Sequence, residues 1–145
     1  MKRTLCSLVL LFALSAMGLL VESKSTSAGP VMFAGMEQEL QDSNWEGSWY
    51  GYEHGSTGRA ELSLTIIGDA VLAEISIYGG GAGDFTFFTG GTVSGNTMEL
   101  ERKRSTAVLS LSRENGALWL RGDYEVTSGE FVGETGTYDF KIKKK

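Results

Sequence analysis

From Trp45 to the end, apolar and polar residues alternate with a period of two, and nothing else in this chain constrains its fold as tightly. Ala60, Leu62, Leu64 and Ile66 alternate with Arg59, Glu61, Ser63 and Thr65. Val71, Ala73, Ile75 and Ile77 alternate with Leu72, Glu74, Ser76 and Tyr78. Met98 and Leu100, then Ala107, Leu109 and Leu111, then Leu118, Leu120, Tyr124 and Val126 continue the pattern, and Tyr138, Phe140 and Ile142 close it. Successive side chains on a β-strand point to opposite faces, so each segment reads as a strand with one apolar face and one charged or hydroxyl face.

Turn chemistry separates the segments. Gly68-Asp69, the Gly-rich stretch 79–84, Gly95-Asn96, Glu114-Asn115-Gly116 and Thr127-Ser128-Gly129 supply residues that accept the positive φ of tight hairpins. The spacing predicts eight strands, at 47–54, 57–67, 70–78, 84–93, 96–103, 106–112, 117–127 and 133–143. No helical periodicity lies between them, which excludes parallel βαβ units. The expected architecture is all-β: a single antiparallel up-and-down meander. An open sheet of this length would expose two edges and one apolar face, so closure into an eight-stranded barrel is expected. Such a barrel has an interior that side chains fill, or that holds one small ligand.

Upstream of the strands the pattern differs. Lys2 and Arg3 precede an apolar run over 5–21, followed by small residues and Ser, which is the layout of a secretory signal peptide over 1–23. Ser23 and Ala28 both end plausible cleavage sites. Export to the periplasm or the exterior follows as an expectation. Residues 24–44 read as a leader, mobile over 24–32, in which Phe33, Met36 and Leu40 fit one or two turns of amphipathic helix. The domain proper then spans 45–145.

Removing 1–23 removes Cys6, the only cysteine, so neither a disulfide nor a Cys metal site nor a Cys nucleophile is expected. The formal net charge of the chain is −5, which argues against a nucleic-acid partner. Two basic spots stand out against it: Arg102-Lys103-Arg104, and Lys141 with Lys143, Lys144 and Lys145. They read as a solvated hairpin and a solvated tail, or as a site for an anionic partner. A barrel embedded in a membrane would need an apolar outer face, whereas here the polar member of each alternation carries Arg, Glu, Asp and Lys.

Gly47-Ser48-Trp49 opens the first predicted strand after a short helical segment. This Gly-x-Trp resembles the start of lipocalins and avidins, the calycin barrels. Gly47-Ser48-Trp49-Tyr50 with Gly55-Ser56 is similar to the first strand of streptavidin-like proteins, and Gly136-Thr137-Tyr138-Asp139-Phe140-Lys141 is similar to the last avidin strand. The resemblance covers about a dozen residues at the two ends of the domain and implies an up-and-down barrel whose floor is plugged by Trp49, with Gly47 leaving room. The chain departs from avidins two residues after that Trp. Gly51 stands where they carry a polar biotin contact, usually Asn.

Candidate ligand-binding residues are Trp49, Phe85, Phe87 and Tyr124, large side chains with inward parity or a polar tip. The expected function is a binding module of the lipocalin kind that holds a small hydrophobic or amphipathic molecule. The alternative is a protein-interaction or inhibitor domain using the arm 24–44 and an exposed Trp119. Catalytic and metal-ligating residues are expected to be absent. His54 is the only histidine and no second ligand type stands at metal spacing from it. Ser56 and Thr57 carry no mark of an activated nucleophile. The Gly-rich stretch at 79–84 opens no helix, so it lacks the N-terminus on which phosphate cradles depend. No cofactor is expected.

Overall fold

The computed structural model describes residues 28–81 and 83–144. The predicted signal peptide and the first residues of the leader lie outside the described residues.

The alternation folds as its period requires. A two-residue strand, β1 (Gly29–Pro30), and a short helix, α1 (Glu37–Leu40), precede eight long strands. These are β2 (Ser43–Gly51), β3 (Thr57–Ile67), β4 (Ala70–Ile77), β5 (Phe85–Ser94), β6 (Thr97–Arg102), β7 (Ser105–Glu114), β8 (Ala117–Val126) and β9 (Thr135–Ile142). Each of the eight pairs antiparallel with its sequence neighbours. β9 also pairs with β2, from Trp45↔Ile142 to Gly51↔Gly136, so the sheet closes into a barrel. The expected closed eight-stranded meander is therefore the observed fold. The β7–β8 turn shows the local chemistry at work. Asn115 (φ 49°) and Gly116 (φ 77°) both take positive φ, as a two-residue type I′ turn demands.

The apolar set of each strand points inward. Trp45, Leu62, Leu64, Ile75, Met98, Leu109, Leu111, Leu118, Leu120 and Phe140 are all essentially without solvent contact. Burying a side chain of this size stabilises by about 1.5–3 kcal/mol, so one shared interior supplies most of the driving force. At the lower end, where β2 begins, Phe33 and Leu40 are buried against this core and Met36 packs on it. The segment expected to be mobile is, from Gly29 on, laid against the barrel wall. Gly29 and Pro30 pair with Arg113 and Ser112, and the Val31 and Phe33 amides donate to the carbonyls of Leu111 and Gly95. The reason lies in unequal strand lengths. β7 runs to Glu114, but β6 pairs with it only as far as Ser110. β1 and the residues after it fill the gap that β6 leaves.

Closing so small a barrel brings strand backbones together where their inward faces cross. A Cβ on Gly47 would collide with the Asp139 carbonyl and the Phe140 Cα of β9. Gly122 stands in the same relation to Val108 and Leu109 of β7, and Gly91 to Glu99 and Leu100 of β6. Glycine at such positions lets one strand coil over its neighbour. Gly47 thus leaves room for β9 rather than for an indole. The residue that plugs the helix-capped floor is Trp45, fully buried with its Nε1 donating to Ser43 Oγ at 2.8 Å. Trp49 lies four residues further along β2, toward the opposite end.

Gly47→Ala should lower stability by roughly 2 kcal/mol or more in urea denaturation, because no side chain can yield where the obstacle is backbone. Gly51→Ala, whose Cβ would lie 3.4 Å from the Tyr124 hydroxyl and 3.6 Å from the Trp49 ring, should cost less than about 1 kcal/mol. Leu40→Ala should cost about 2–4 kcal/mol, because Leu40 is fully buried in the core.

Candidate functional site

The upper end of the barrel is built differently from the floor. Inward-facing residues near the ends of five strands meet there: Trp49 on β2, Phe87 on β5, Arg102 on β6, Tyr124 on β8 and Tyr138 on β9. One inward step further down, the interior is filled by Leu100 on β6 and Phe140 on β9. On β2 and β8 the glycines Gly47 and Gly122 come first and Trp45 and Leu120 follow. The result is a shallow aromatic cup over a packed core.

Its geometry follows from the register. Tyr124 sits opposite Gly136, whose missing side chain lets the phenol ring cross over β9. The Tyr124 and Tyr138 rings are 4.8 Å apart, and Tyr138 stacks on Phe140 at 5.3 Å, so an aromatic column runs from the mouth into the core. On the other side Phe85 and Phe87 stack at 5.8 Å, and the Arg102 guanidinium lies 4.6 Å above the Phe87 ring. Thr89, the next inward residue of β5, is buried and its hydroxyl donates to the Glu101 carbonyl at 2.9 Å.

Trp49 is held from above by the Gly-rich connection. Its Nε1 donates to the Tyr78 carbonyl at 3.1 Å. A Cβ on Gly58 would lie 2.6 Å from Nε1, and one on Gly80 would lie 3.3 Å from the ring. Gly58 and Gly80 therefore make the slot into which the indole fits. The loop is fastened by the Gly79 amide donating to Asp84 Oδ1 at 2.9 Å. Gly80 of this connection thus lies over the Trp49 ring.

All four residues predicted to bind ligand carry the inward parity at this end. Trp49 and Tyr124 both approach Gly51, Phe87 packs on the core, and Phe85 stands at the rim with 44% of its surface exposed. Arg102 and Tyr138 belong to the cup as well. Their membership could have been read from the alternation Met98, Leu100, Arg102, and from Tyr138 ahead of Phe140. Tyr50, Tyr52 and Phe88 are exposed on the outside, as their opposite parity requires. Trp119, expected as an exposed anchor, is half-buried on the outer wall. Arg121 lies 4.1 Å above its ring and Lys141 5.5 Å from it. Arg121 is itself bound to Glu114 and, at 2.9 Å, to Asp139. His54 is a surface residue, 3.2 Å from a Glu134 carboxylate oxygen.

The electrostatics of the cup favour neutral phenols. Burial, with smaller contributions from the Glu134 and Glu53 carboxylates, pushes the Tyr124 pKa up to about 12. Tyr138 is driven further in the same direction by deeper burial and by Tyr124, with Arg102 pulling slightly against it. Among the described residues neither hydroxyl has a hydrogen-bond partner. Two phenolic donors and a guanidinium therefore stand at one mouth with capacity to spare. No group of three or more His, Cys, Asp or Glu residues is placed to hold a metal ion among the described residues, and no helix there is long and apolar enough to cross a membrane.

No family model matches the chain, and no curated protein or solved structure matches it either.

In an alkaline titration followed by phenolate absorbance, the step lost in Tyr124→Phe should be centred near pH 12, with Tyr138 ionising later still. A raised folded-state pKa means that the native form holds its proton while the unfolded chain, at about pH 10, releases it. The stability contributed by Tyr124 should accordingly be complete below about pH 10 and be lost as pH rises toward 12.

Proposed function

We propose that this protein is an exported, calycin-like binding module that holds a small amphipathic molecule in the upper cup of the barrel. The observation that carries the proposal is the convergence of Phe87, Tyr124 and Tyr138 with Arg102 at one mouth. Aromatic faces supply apolar contact, while the guanidinium and two phenolic hydroxyls supply donors for a polar or anionic head group. The shallowness of the cup favours a compact ligand over one that threads the barrel axis, because the core below is filled. Charged networks on the outer wall, such as Arg121 with Glu114 and Asp139, and Lys143 with Glu46 and Glu61, support a barrel that works in water. We take the chain to act without catalysis or cofactor.

A protein-interaction role through the N-terminal arm and Trp119 has less support. The arm is strand-paired from Gly29 on, and cations cover Trp119.

Native mass spectrometry of protein purified under mild conditions should detect a bound small molecule. A short-chain fatty acid titrated against tryptophan fluorescence should bind, and Arg102→Met and Phe87→Ala should each weaken it about tenfold, close to 1.4 kcal/mol. Lys141→Met on the outer wall should leave binding unchanged. Empty spectra, together with fatty-acid binding indifferent to Arg102 and Phe87, would remove the basis for this reading.

A further inference from the structure

The barrel is closed by eight strands, yet one of its seams is closed only halfway. β4 and β5 pair over the whole upper part of β5, from Phe85↔Ile77 to Thr92↔Ala70. β5 and β6 pair only from Gly90↔Glu101 to Ser94↔Thr97. Among the described residues, Phe85, Thr86, Phe87, Phe88 and Thr89 therefore have no strand on their other side. The cause is the position of the β6–β7 turn: β6 ends at Arg102 and β7 begins at Ser105, so β6 has no residues left to pair with this part of β5. The Thr127 amide donates to the Arg104 carbonyl at 2.8 Å and the Ser128 hydroxyl to the Lys103 carbonyl at 3.3 Å, tying the hairpin tip to the loop after β8.

The direction of the free backbone groups follows from one hydrogen bond. The Val93 amide donates to the carbonyl of Asp69, its partner by register, at 2.8 Å. Hydrogen-bonded pairs recur every second residue in an antiparallel ladder, so the odd-numbered residues of β5 bond to β4. The amides and carbonyls of Thr86 and Phe88 then face the open side. Among the described residues they find no backbone partner there. An unprotected edge of this kind is a template for another strand. It carries none of the protection natural edges use, having no proline or charge in its own sequence, and it presents Phe88 with 74% of its surface exposed.

The flank of the edge specifies what kind of strand fits. Arg59, Arg113, Arg121 and Lys143 each have a carboxylate partner. Arg102, Lys103 and Arg104 have none among the described residues, although the whole chain carries a net charge of −5. A groove of about 620 Å³, lined by Gly90, Gly91, Arg102, Lys103 and one carboxylate, Glu101, continues the edge toward these cations, two positive side chains against one negative. We infer that the upper edge of β5 is a docking site for an extended acidic peptide segment of a partner protein, added as a strand beside Phe85–Phe88. Its alternate residues meet Phe88 on the outer face, with an apolar side chain, and Arg102 and Lys103 on the flank, with carboxylates. Two arguments select a peptide over other anions and over a second copy. Backbone amides and carbonyls in strand register need complementary amides, which a polyphosphate or sulfated sugar lacks. A second copy joined edge to edge would bring three more uncompensated cations to the seam.

The test uses the wild-type chain and a short labelled peptide of alternating Val and Glu, followed by fluorescence anisotropy. The peptide should bind, bind more weakly as salt rises, and lose about tenfold or more in affinity when its alternate amides are N-methylated. Lys103→Glu with Arg104→Glu should weaken it by a similar factor and favour a second labelled peptide, of alternating Val and Lys, instead. Phe88→Pro, which removes an edge amide at a position where proline is tolerated, should abolish binding, and Phe88→Ala should weaken it less. Binding that ignores N-methylation, equal competition by polyphosphate, or a wild-type chain that dimerises through this edge would each overturn the inference.

Discussion

Closure of the sheet on itself is the constraint on which everything else in this molecule rests. One apolar face shared by eight strands can leave water only if β9 returns to β2, and the return is tight. Asp139 of β9 passes so close to Gly47 that a methyl group would block the seam. The sequence therefore places glycine at inward positions where an apolar side chain would otherwise bury more surface. Lost burial at Gly47, Gly91 and Gly122 is offset by the elimination of two sheet edges and by the continuous ladder that replaces them.

The same constraint divides the barrel into two unlike ends. At the floor, the missing length of β6 is made up by β1 and the segment after it, and Phe33, Leu40 and Trp45 shut the interior. At the mouth, the missing length of β6 is made up by nothing within the described residues. There Trp49, Phe87, Arg102, Tyr124 and Tyr138 stand among the aliphatic ends of β4 and β8, Ile77 and Val126, and two phenols keep unused donors. A chain selected only for a sealed core would be expected to treat the two ends alike. The asymmetry is what concentrates recognition chemistry at the mouth.

The fold was legible because strand periodicity is a local signal and closure is its only economical global solution. Most strand boundaries read from turn residues fall within two residues of those observed, and the inward set of Leu62, Ile75, Leu109, Leu120 and Phe140 follows from parity alone. The first strand shows where reading failed. Asp42-Ser43-Asn44 has the composition of a turn, yet Ser43 and Asn44 already belong to β2 and Ser43 is buried as the acceptor for the Trp45 indole. That shift moved the floor tryptophan from Trp49 to Trp45. Both have the same parity, so alternation could not choose between them; only the position of α1 against the barrel decides. The strand pairing of Gly29 and Pro30 was equally hidden, since two residues of small side chain carry no periodicity and are ordered by the exposed end of β7.

The mouth was legible in its members and not in its assembly. Parity identified Trp49, Phe85, Phe87 and Tyr124 as inward, and the structure gathers them at one end with Arg102 and Tyr138. Which strands end together depends on how the strands stagger around the barrel, a non-local property that no single segment records. The half-open seam has the same origin. β5 has ten residues and β6 has six, a mismatch visible in the sequence as unequal turn spacing. The early turn after Arg102 leaves Thr86 and Phe88 without a strand beside them among the described residues, and Thr127 and Ser128 tie the hairpin tip to the loop after β8.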